Sequence, residues 1–314
     1  MTSFHGHFWT VQPHLRDVLF PPRPPRDEPW STTLTAPQRG ELRLTGWLRA
    51  APEDRSCVVL LHGLGGSANS RYLVRMARAV ASEGLAYLRL SVRGGDRSGE
   101  DIAHAALTAD LHAALASPAL ASFDHLYVVG YSLGGHLALR WAVEEARDRR
   151  VRALACICSP LDLAVGARAL QRPLGRPYQR HLMSGLKEVF RAVDLRQRPL
   201  PATRARVEAM RTLYEWDEEL VAPRFGFDGH EDYYAKASAG PWLPRLAIPT
   251  LFVAAEADPM VTAAQLRPWL AEASEAVEVR WTAGGHVGFP PGLDLGVGRP
   301  GPVEPQVAAW LRAH

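Results

Sequence analysis

The sequence predicts an α/β protein with a parallel sheet covered by helices on both faces, and three observations carry that prediction. Short apolar runs of strand length alternate with segments of helical periodicity along most of the 314 residues. Several runs are apolar at consecutive positions, as strands buried on both faces are. The turn Gly130-Tyr131-Ser132-Leu133-Gly134-Gly135 follows one such run and opens a helical pattern.

Taken in order, the chain first shows a dense set of prolines (Pro21, Pro22, Pro24, Pro25, Pro29) between Val11 and Pro37. Proline removes a donor and fixes φ, so this stretch predicts neither helix nor central strand, and residues 1–37 are expected to form an N-terminal arm on the body. Leu42 to Leu48 alternates as a half-exposed strand, and Cys57 to Leu61 is a continuous apolar run ending at His62-Gly63. Ser70 to Ser82 is expected to be helical, with Leu73, Ala77 and Val80 on one face, and Gly84 stops it. Strand Leu85 to Val92, helix Ile102 to Ala116, strand Leu126 to Val129, helix Gly135 to Ala146 and strand Val151 to Cys158 continue the alternation.

From Leu161 to about Tyr234 the rhythm stops. That stretch is arginine-rich, partly helical and broken by prolines, so it reads as an insertion. Strand Thr250 to Ala255, helix Ala263 to Glu272, strand Val277 to Thr282 and a last helix from about Pro305 to Arg312 resume it. The expected organisation is an arm over 1–37, a core over 38–160 and 235–314, and a helical cap insertion over 161–234.

Composition narrows the classes. With 47% apolar and 22% charged residues, the chain has the makings of a core that needs no disulfide or metal staple. A net charge of +3 is too small and dispersed for nucleic-acid binding, and no apolar run approaches the length of a membrane span. Cys57, Cys156 and Cys158 cannot make a complete disulfide set and sit in apolar runs, which fits reduced core residues. The first residues lack a basic start and apolar centre, so the expectation is a cytoplasmic protein without a signal peptide.

The chemistry is concentrated in the strand–turn–helix string around Ser132. A serine between glycines two residues to either side is the pattern of a nucleophile elbow. Strand and helix backbones pass too close there for side chains, and the Oγ projects from the carboxyl edge of the sheet. A serine hydroxyl needs a base, and the base needs a carboxylate to fix its tautomer and stabilise the imidazolium. Asp258, in the loop after Thr250–Ala255, and His286, in the Gly284-Gly285-His286-Val287-Gly288 loop after the last strand, follow in the order this arrangement requires. Glu256 and Asp162 are rival acids. His314 is the other histidine beyond Asp258, but it is the terminal residue. The backbone N–H groups of Leu133 and Leu64 are the expected oxyanion donors, and His62 is expected to brace the loop rather than to react.

Weaker patterns revert to structural readings. No Gly-Lys-Ser/Thr follows Gly63–Gly66, and neither His-Glu-x-x-His nor Cys-x-x-Cys occurs, so no phosphate loop, metal or cofactor is expected. His104 and His112 are expected on one helix, exposed or near its caps, and His230-Glu231-Asp232 in a solvated loop. Arg168, Arg172, Arg176 and Arg180, spaced in fours, predict a solvated basic stripe if helical.

On these residues the chain resembles the YheT-like group of α/β-hydrolases, the bacterial relatives of the mammalian ABHD hydrolases in the AB hydrolase 4 family. The resemblance runs nearly the full length: Gly6-His7-Phe8-Trp9-Thr10-Val11, His62–Ser70, Arg93–Glu100, Gly130–Gly135, Tyr233–Ser238, Ala257-Asp258-Pro259 and Gly284–Phe289. It implies an eight-stranded, mostly parallel sheet with a helical cap and hydrolysis of carboxylic esters, acyl lipids among them. Two departures stand out: Ser91-Val92 precede Arg93 where relatives carry a larger polar residue, and the acid loop has a single Asp where relatives usually have two. No histidine has Asp five residues on, so a His-x4-Asp acyltransferase motif is absent.

The expected function is therefore a serine esterase acting on a small acyl ester or lipid. Thioesterase, amidase or lipid hydrolase chemistry on the same triad is the alternative, and a C–C bond hydrolase, a haloperoxidase-like protein or a non-catalytic binding protein stands further off. A dehalogenase would need Asp at position 132. Expected lining for an acyl pocket comes from Leu170, Leu182, Met183, Leu186, Phe190, Leu213, Tyr214 and Trp216 of the insertion. Phe4, Phe8, Trp9 and Phe20 of the arm are candidates for peripheral lipid contact, against the commoner outcome that such an arm packs on its own body.

Overall fold

A computed structural model describes residues 3–314 apart from 21, 23, 52, 53, 145, 146 and 196. In chain order the elements are α1 (Ser3–Leu19), β1 (Glu28–Ala36), β2 (Gly40–Arg49), β3 (Ser56–Leu61), α2 (Arg71–Ser82), β4 (Ala86–Ser91), α3 (Ala109–Leu115), β5 (His125–Tyr131), α4 (Leu133–Ala142) and β6 (Val151–Ile157). Then come α5 (Leu163–Gln171), α6 (Arg176–Ala192), α7 (Arg204–Ala209), α8 (Leu213–Trp216), α9 (Ala222–Phe225), α10 (Gly229–Ala237), β7 (Thr250–Ala255), α11 (Ala263–Ala271), β8 (Val277–Thr282) and α12 (Val303–Arg312). The strands form one eight-stranded sheet in the order β1-β2-β4-β3-β5-β6-β7-β8. β1 and β2 are antiparallel to their neighbours and the rest are parallel.

Two-residue alternation divides the central strands between two cores. Cys57, Val59 and Leu61 of β3 face one cluster with Leu111, Leu137, Trp141 and Leu266, hence with α3, α4 and α11. Val58 and Leu60 face the other with Leu73, Met76, Val80, Val307 and Leu311, hence with α2 and α12. The segment between β6 and β7 supplies most of a third cluster, which holds Phe190, Trp216 and Leu220 together with Ile102 and Ala105 from the loop before α3. Cys57, Cys156 and Cys158 are free and buried.

The N-terminal segment departs most from the sequence reading. It forms α1, with Pro13 inside the helix, and the edge strand β1, with Pro29 at its second residue. Pro21 lies outside the described residues. An edge strand tolerates proline because one side of its backbone has no ladder to feed. Pro13 leaves the carbonyl of Trp9 without a helical donor, and that carbonyl lies against Gly288, where a Cβ would collide with it. Close packing on the His286 loop thus accommodates a residue that local propensity disfavours in a helix.

Other differences are local. The helix expected from Ile102 begins only at Ala109, because the preceding turn is drawn into other contacts. Asp101 is bound by arginines, and the Ala105 N–H donates to the Tyr233 hydroxyl. His104 therefore lies outside the helix that carries His112. The arginines at 168, 172, 176 and 180 do not form one stripe, because the chain breaks at Arg172–Gly175 between α5 and α6. His230-Glu231-Asp232 forms the first turn of α10 rather than a loop. The helix expected to Ala146 ends at Ala142, and Ala146 itself lies outside the described residues.

Candidate active site

Ser132 occupies the turn between β5 and α4 with φ 51° and ψ −121°, a backbone conformation that few non-glycine residues adopt. The crossing is tight. A Cβ at Gly130 would meet the Gly135 nitrogen, and one at Gly134 would come within 2.6 Å of the Leu61 and His62 carbonyls. The elbow therefore presses directly on the end of β3 and the loop after it.

Three loops at the carboxyl ends of strands bring the expected partners together. His286 Nε2 lies 3.0 Å from Ser132 Oγ, and His286 Nδ1 lies 2.9 Å from Asp258 Oδ2. The Asp258 Oδ1 accepts from the Met260 and Val261 N–H groups at 2.8 and 2.9 Å, which fixes the carboxylate's orientation. Asp258 and His286 are buried, and Ser132 is partly exposed. A carboxylate on Nδ1 leaves Nε2 as the free acceptor facing the hydroxyl, the tautomer a general base needs.

The oxyanion candidates flank this chain. Leu133 opens α4, so its N–H belongs to the helix's first, intrahelically unsatisfied turn. Leu64 lies in the turn closed by Gly66 N–H donating to the Gly63 carbonyl at 3.0 Å, and a Cβ at Gly63 would sit 3.1 Å from the Ser132 Cβ. The loop is braced by the Tyr72 hydroxyl, which accepts from Gly63 N–H at 3.0 Å. His62 braces it too, linking the Gly63 carbonyl to the Val92 N–H. Burial pulls His62 down to about 4, so the ring stays neutral as a spacer.

The rival acids lie in other roles. Glu256 is exposed and paired with Arg267 at 2.8 Å, and Asp162 caps α5 through Val165 N–H at 2.9 Å. His314 stacks on Trp310.

Two supporting residues escaped the sequence reading. Thr10 Oγ1 accepts the His286 N–H at 2.8 Å while its own hydroxyl donates to the Gly6 carbonyl, so α1 holds the histidine loop. The motif Gly6–Val11 was visible, but nothing local linked it to residue 286. Cys158 follows β6 with φ 51°, and its thiol donates to the Gly285 carbonyl at 3.7 Å, in the loop that carries His286. Burial, with the charge of Asp258 nearby, raises that thiol well above its ordinary range, so it stays protonated beside a loop that lacks a second Asp. Among the described residues, Cys158, Asp258 and His286 are the one cluster with metal-ligand geometry, their candidate ligand atoms all within 4.8 Å of one another. The Asp258–His286 hydrogen bond already engages two of those atoms.

Two spaces of different character meet at Ser132 and His286. One is an open groove of about 1250 Å³ between α1, β2, the Gly63–Gly66 loop and α6, with Arg43, Asp96, Arg97 and Glu188 in its walls. The other is a narrow pocket of about 110 Å³ reaching into the insertion, lined by Leu163, Leu170, Leu182, Leu186, Leu213 and Trp216. Met183, Phe190 and Tyr214, expected beside them, do not line it and pack within the third cluster.

At the pocket wall Asp217 accepts from the Tyr234 hydroxyl at 2.6 Å, and burial pushes its carboxyl up to about 7. His104, lowered to about 3 chiefly by burial, lies near the rings of Phe225, Phe227 and Tyr233. The unfolded chain releases the Asp217 proton near pH 4, but the folded protein keeps it to about 7. Stability should therefore fall as pH rises through that window and level off above it. Asp217→Asn should gain on the wild type between about pH 4 and pH 7, read as diverging urea midpoints. A constant difference across that range would mean that the folded carboxyl ionises normally.

The strand order, the elbow and the hydrogen-bonded serine, histidine and aspartate define a class. The chain belongs to the α/β-hydrolase fold family, whose model matches residues 57–292. Within it, the chain is 32% identical over 296 residues to YheT of Escherichia coli, named as an esterase, covering 90% of this chain and 84% of that one. An abhydrolase domain-containing protein of Dictyostelium discoideum is 28% identical, over 76% of this chain and 62% of its own. The fold is also that of a Pyrococcus furiosus esterase (TM-score 0.55, 15% identity, 84% of this chain and 91% of that one). Among the described residues no helix is long and apolar enough to cross a membrane.

Proposed function

We propose that the protein hydrolyses carboxylic acyl esters through Ser132, His286 and Asp258. The observation that carries this reading is the unbroken hydrogen-bond chain from Ser132 Oγ through the His286 ring to Asp258, at 3.0 and 2.9 Å. The name of the Escherichia coli relative agrees with it. Ser132 Oγ attacks the ester carbonyl while His286 Nε2 takes its proton. The Leu133 and Leu64 N–H groups receive the oxyanion, and His286 returns the proton to the leaving alcohol. Water, deprotonated by the same nitrogen, then releases the acid. Asp258 orients the ring and stabilises its charged form throughout.

The two spaces divide the substrate. The narrow apolar pocket takes the acyl chain, and the open polar groove takes the alcohol portion. In this reading residues 161–234 serve as a cap whose inner side chains set the acyl length. Hydrolysis of p-nitrophenyl esters from acetyl to palmitoyl tests the assignment. Turnover should peak at short to medium chains, and labelling by a fluorophosphonate should abolish it. Silence across the series, with no labelling, would overturn the reading.

The pocket also has a direct probe. A Cβ on Gly166 of α5 meets nothing within 4 Å, and this glycine lines the narrow space. Gly166→Phe should fill the pocket without a backbone clash and shift the preferred acyl chain shorter, leaving acetyl ester turnover within a few-fold. An unchanged chain-length profile would place the acyl group elsewhere.

A further inference from the structure

α1 has two faces of opposite character. Gly6, Thr10, Pro13 and Asp17 recur at helical spacing on the inner face. Thr10 holds the His286 N–H, and Asp17 pairs with Arg75. The outer face carries Phe4, Phe8, Val11, Leu15 and Leu19, followed by Phe20, with exposures of 82, 51, 42, 56, 73 and 75%. Among the described residues the other exposed large apolar side chains are Val165 in α5 and Leu174 in the turn between α5 and α6, at 36 and 66%. These two places adjoin: the His7 ring stacks on Tyr178 with centroids 5.6 Å apart, and its Nδ1 lies 2.6 Å from the Tyr178 hydroxyl.

Arg168 in α5, Arg172 in the turn, and Arg176 and Arg180 at the start of α6 surround that turn, all exposed. Among the described residues none of the four makes an ion pair, whereas Arg191 and Arg206 elsewhere on the insertion are paired with Glu208 and Glu219. An apolar helical face flanked by uncompensated arginines is the chemistry of a surface that lies on an anionic bilayer. Aromatic and leucine side chains enter the acyl boundary, and guanidinium groups meet lipid phosphates. A second copy of the chain is a poor occupant, because a self-complementary contact would bring eight arginines together.

We propose that α1 and the α5–α6 turn dock the protein on an anionic lipid surface. The placement has a consequence for the site. Val11 and Pro13 of α1 and Pro177 and Tyr178 of α6 line the groove that leads to Ser132 and His286. Docking would hold the groove's mouth at the membrane, where an ester dissolved in the bilayer can enter it. That consequence rests on the ester reading; the docking itself does not.

Co-sedimentation of the full chain with vesicles tests it, using phosphatidylglycerol mixed with phosphatidylcholine against phosphatidylcholine alone. The wild type and Ser132→Ala should bind the anionic vesicles equally, and more weakly at high salt. Phe4→Ser/Phe8→Ser/Leu15→Ser should lose binding more than tenfold, and Arg172→Glu/Arg176→Glu/Arg180→Glu should lose the preference for anionic lipid. Both variants should keep wild-type turnover of a soluble short-chain ester and a wild-type circular dichroism spectrum. Absence of vesicle binding by the wild type, or binding unchanged in the apolar variant, would overturn the proposal. So would a wild-type dimer that the apolar variant dissociates, since a second copy would then cover the face. A protein that binds vesicles but hydrolyses no ester would sink the ester reading alone.

Discussion

Ser132→Ala is expected to lower ester turnover by several orders of magnitude while leaving the fold intact. In the proposed mechanism the hydroxyl supplies the bond-forming atom, so its removal would leave only binding and the oxyanion donors, which alone retain a small residue of rate. Removing His286 should cost about as much, because the members of such a chain act as a unit. The double variant should then be little worse than either single one, which separates a shared catalytic unit from two independent contributions. Alanine relieves none of the strain at φ 51°, so the variant should unfold at nearly the wild-type denaturant concentration. Turnover of purified Ser132→Ala within tenfold of the wild type would remove the serine from the mechanism and with it the assignment.

Much of this site was legible because each of its parts is set locally. The strand–turn–helix context around Ser132 follows from an apolar run, two glycines and a helical pattern, all within about a dozen residues. Asp258 and His286 follow from their positions just after β7 and β8, since parallel strands deliver their carboxyl ends to one edge. What escaped was held by distant contacts. Pro13 argues locally against a helix, yet α1 forms because its backbone seats on the loop of residues 285–288. Thr10 reaches His286 across 276 positions of sequence, and no period or motif records that. The expected helix from Ile102 fails for the same kind of reason, because an ion cluster and a tyrosine hydroxyl engage the backbone and side chains of its first turn.

That ion cluster gives the largest stability effect expected in the molecule. Asp101 is fully buried and receives Arg224 at 2.6 Å from α9, Arg39 at 3.4 Å from the β1–β2 hairpin and Arg93 at 3.7 Å from the loop after β4. Arg93 is also paired with Asp110 at 2.5 Å, so Asp110 is already committed. Burial, together with the neighbouring Arg224 and Arg198, lowers Arg39 despite its contact with Asp101. Asp101→Ala leaves buried guanidinium groups without their shared carboxylate, and the loss of one partner of a buried ion pair costs about 3–5 kcal/mol. A urea or guanidinium transition should report a fall of that size. Because Arg224 ties α9 to the loop whose Ala103, His104 and Ala105 line the narrow pocket, KM for longer acyl esters should rise before turnover of acetyl esters changes. Arg224→Met in the Asp101→Ala background should recover part of the stability, since it removes one of the stranded charges. If the double variant is instead less stable by the sum of the two single losses, the penalty lies in lost packing and the charge argument fails.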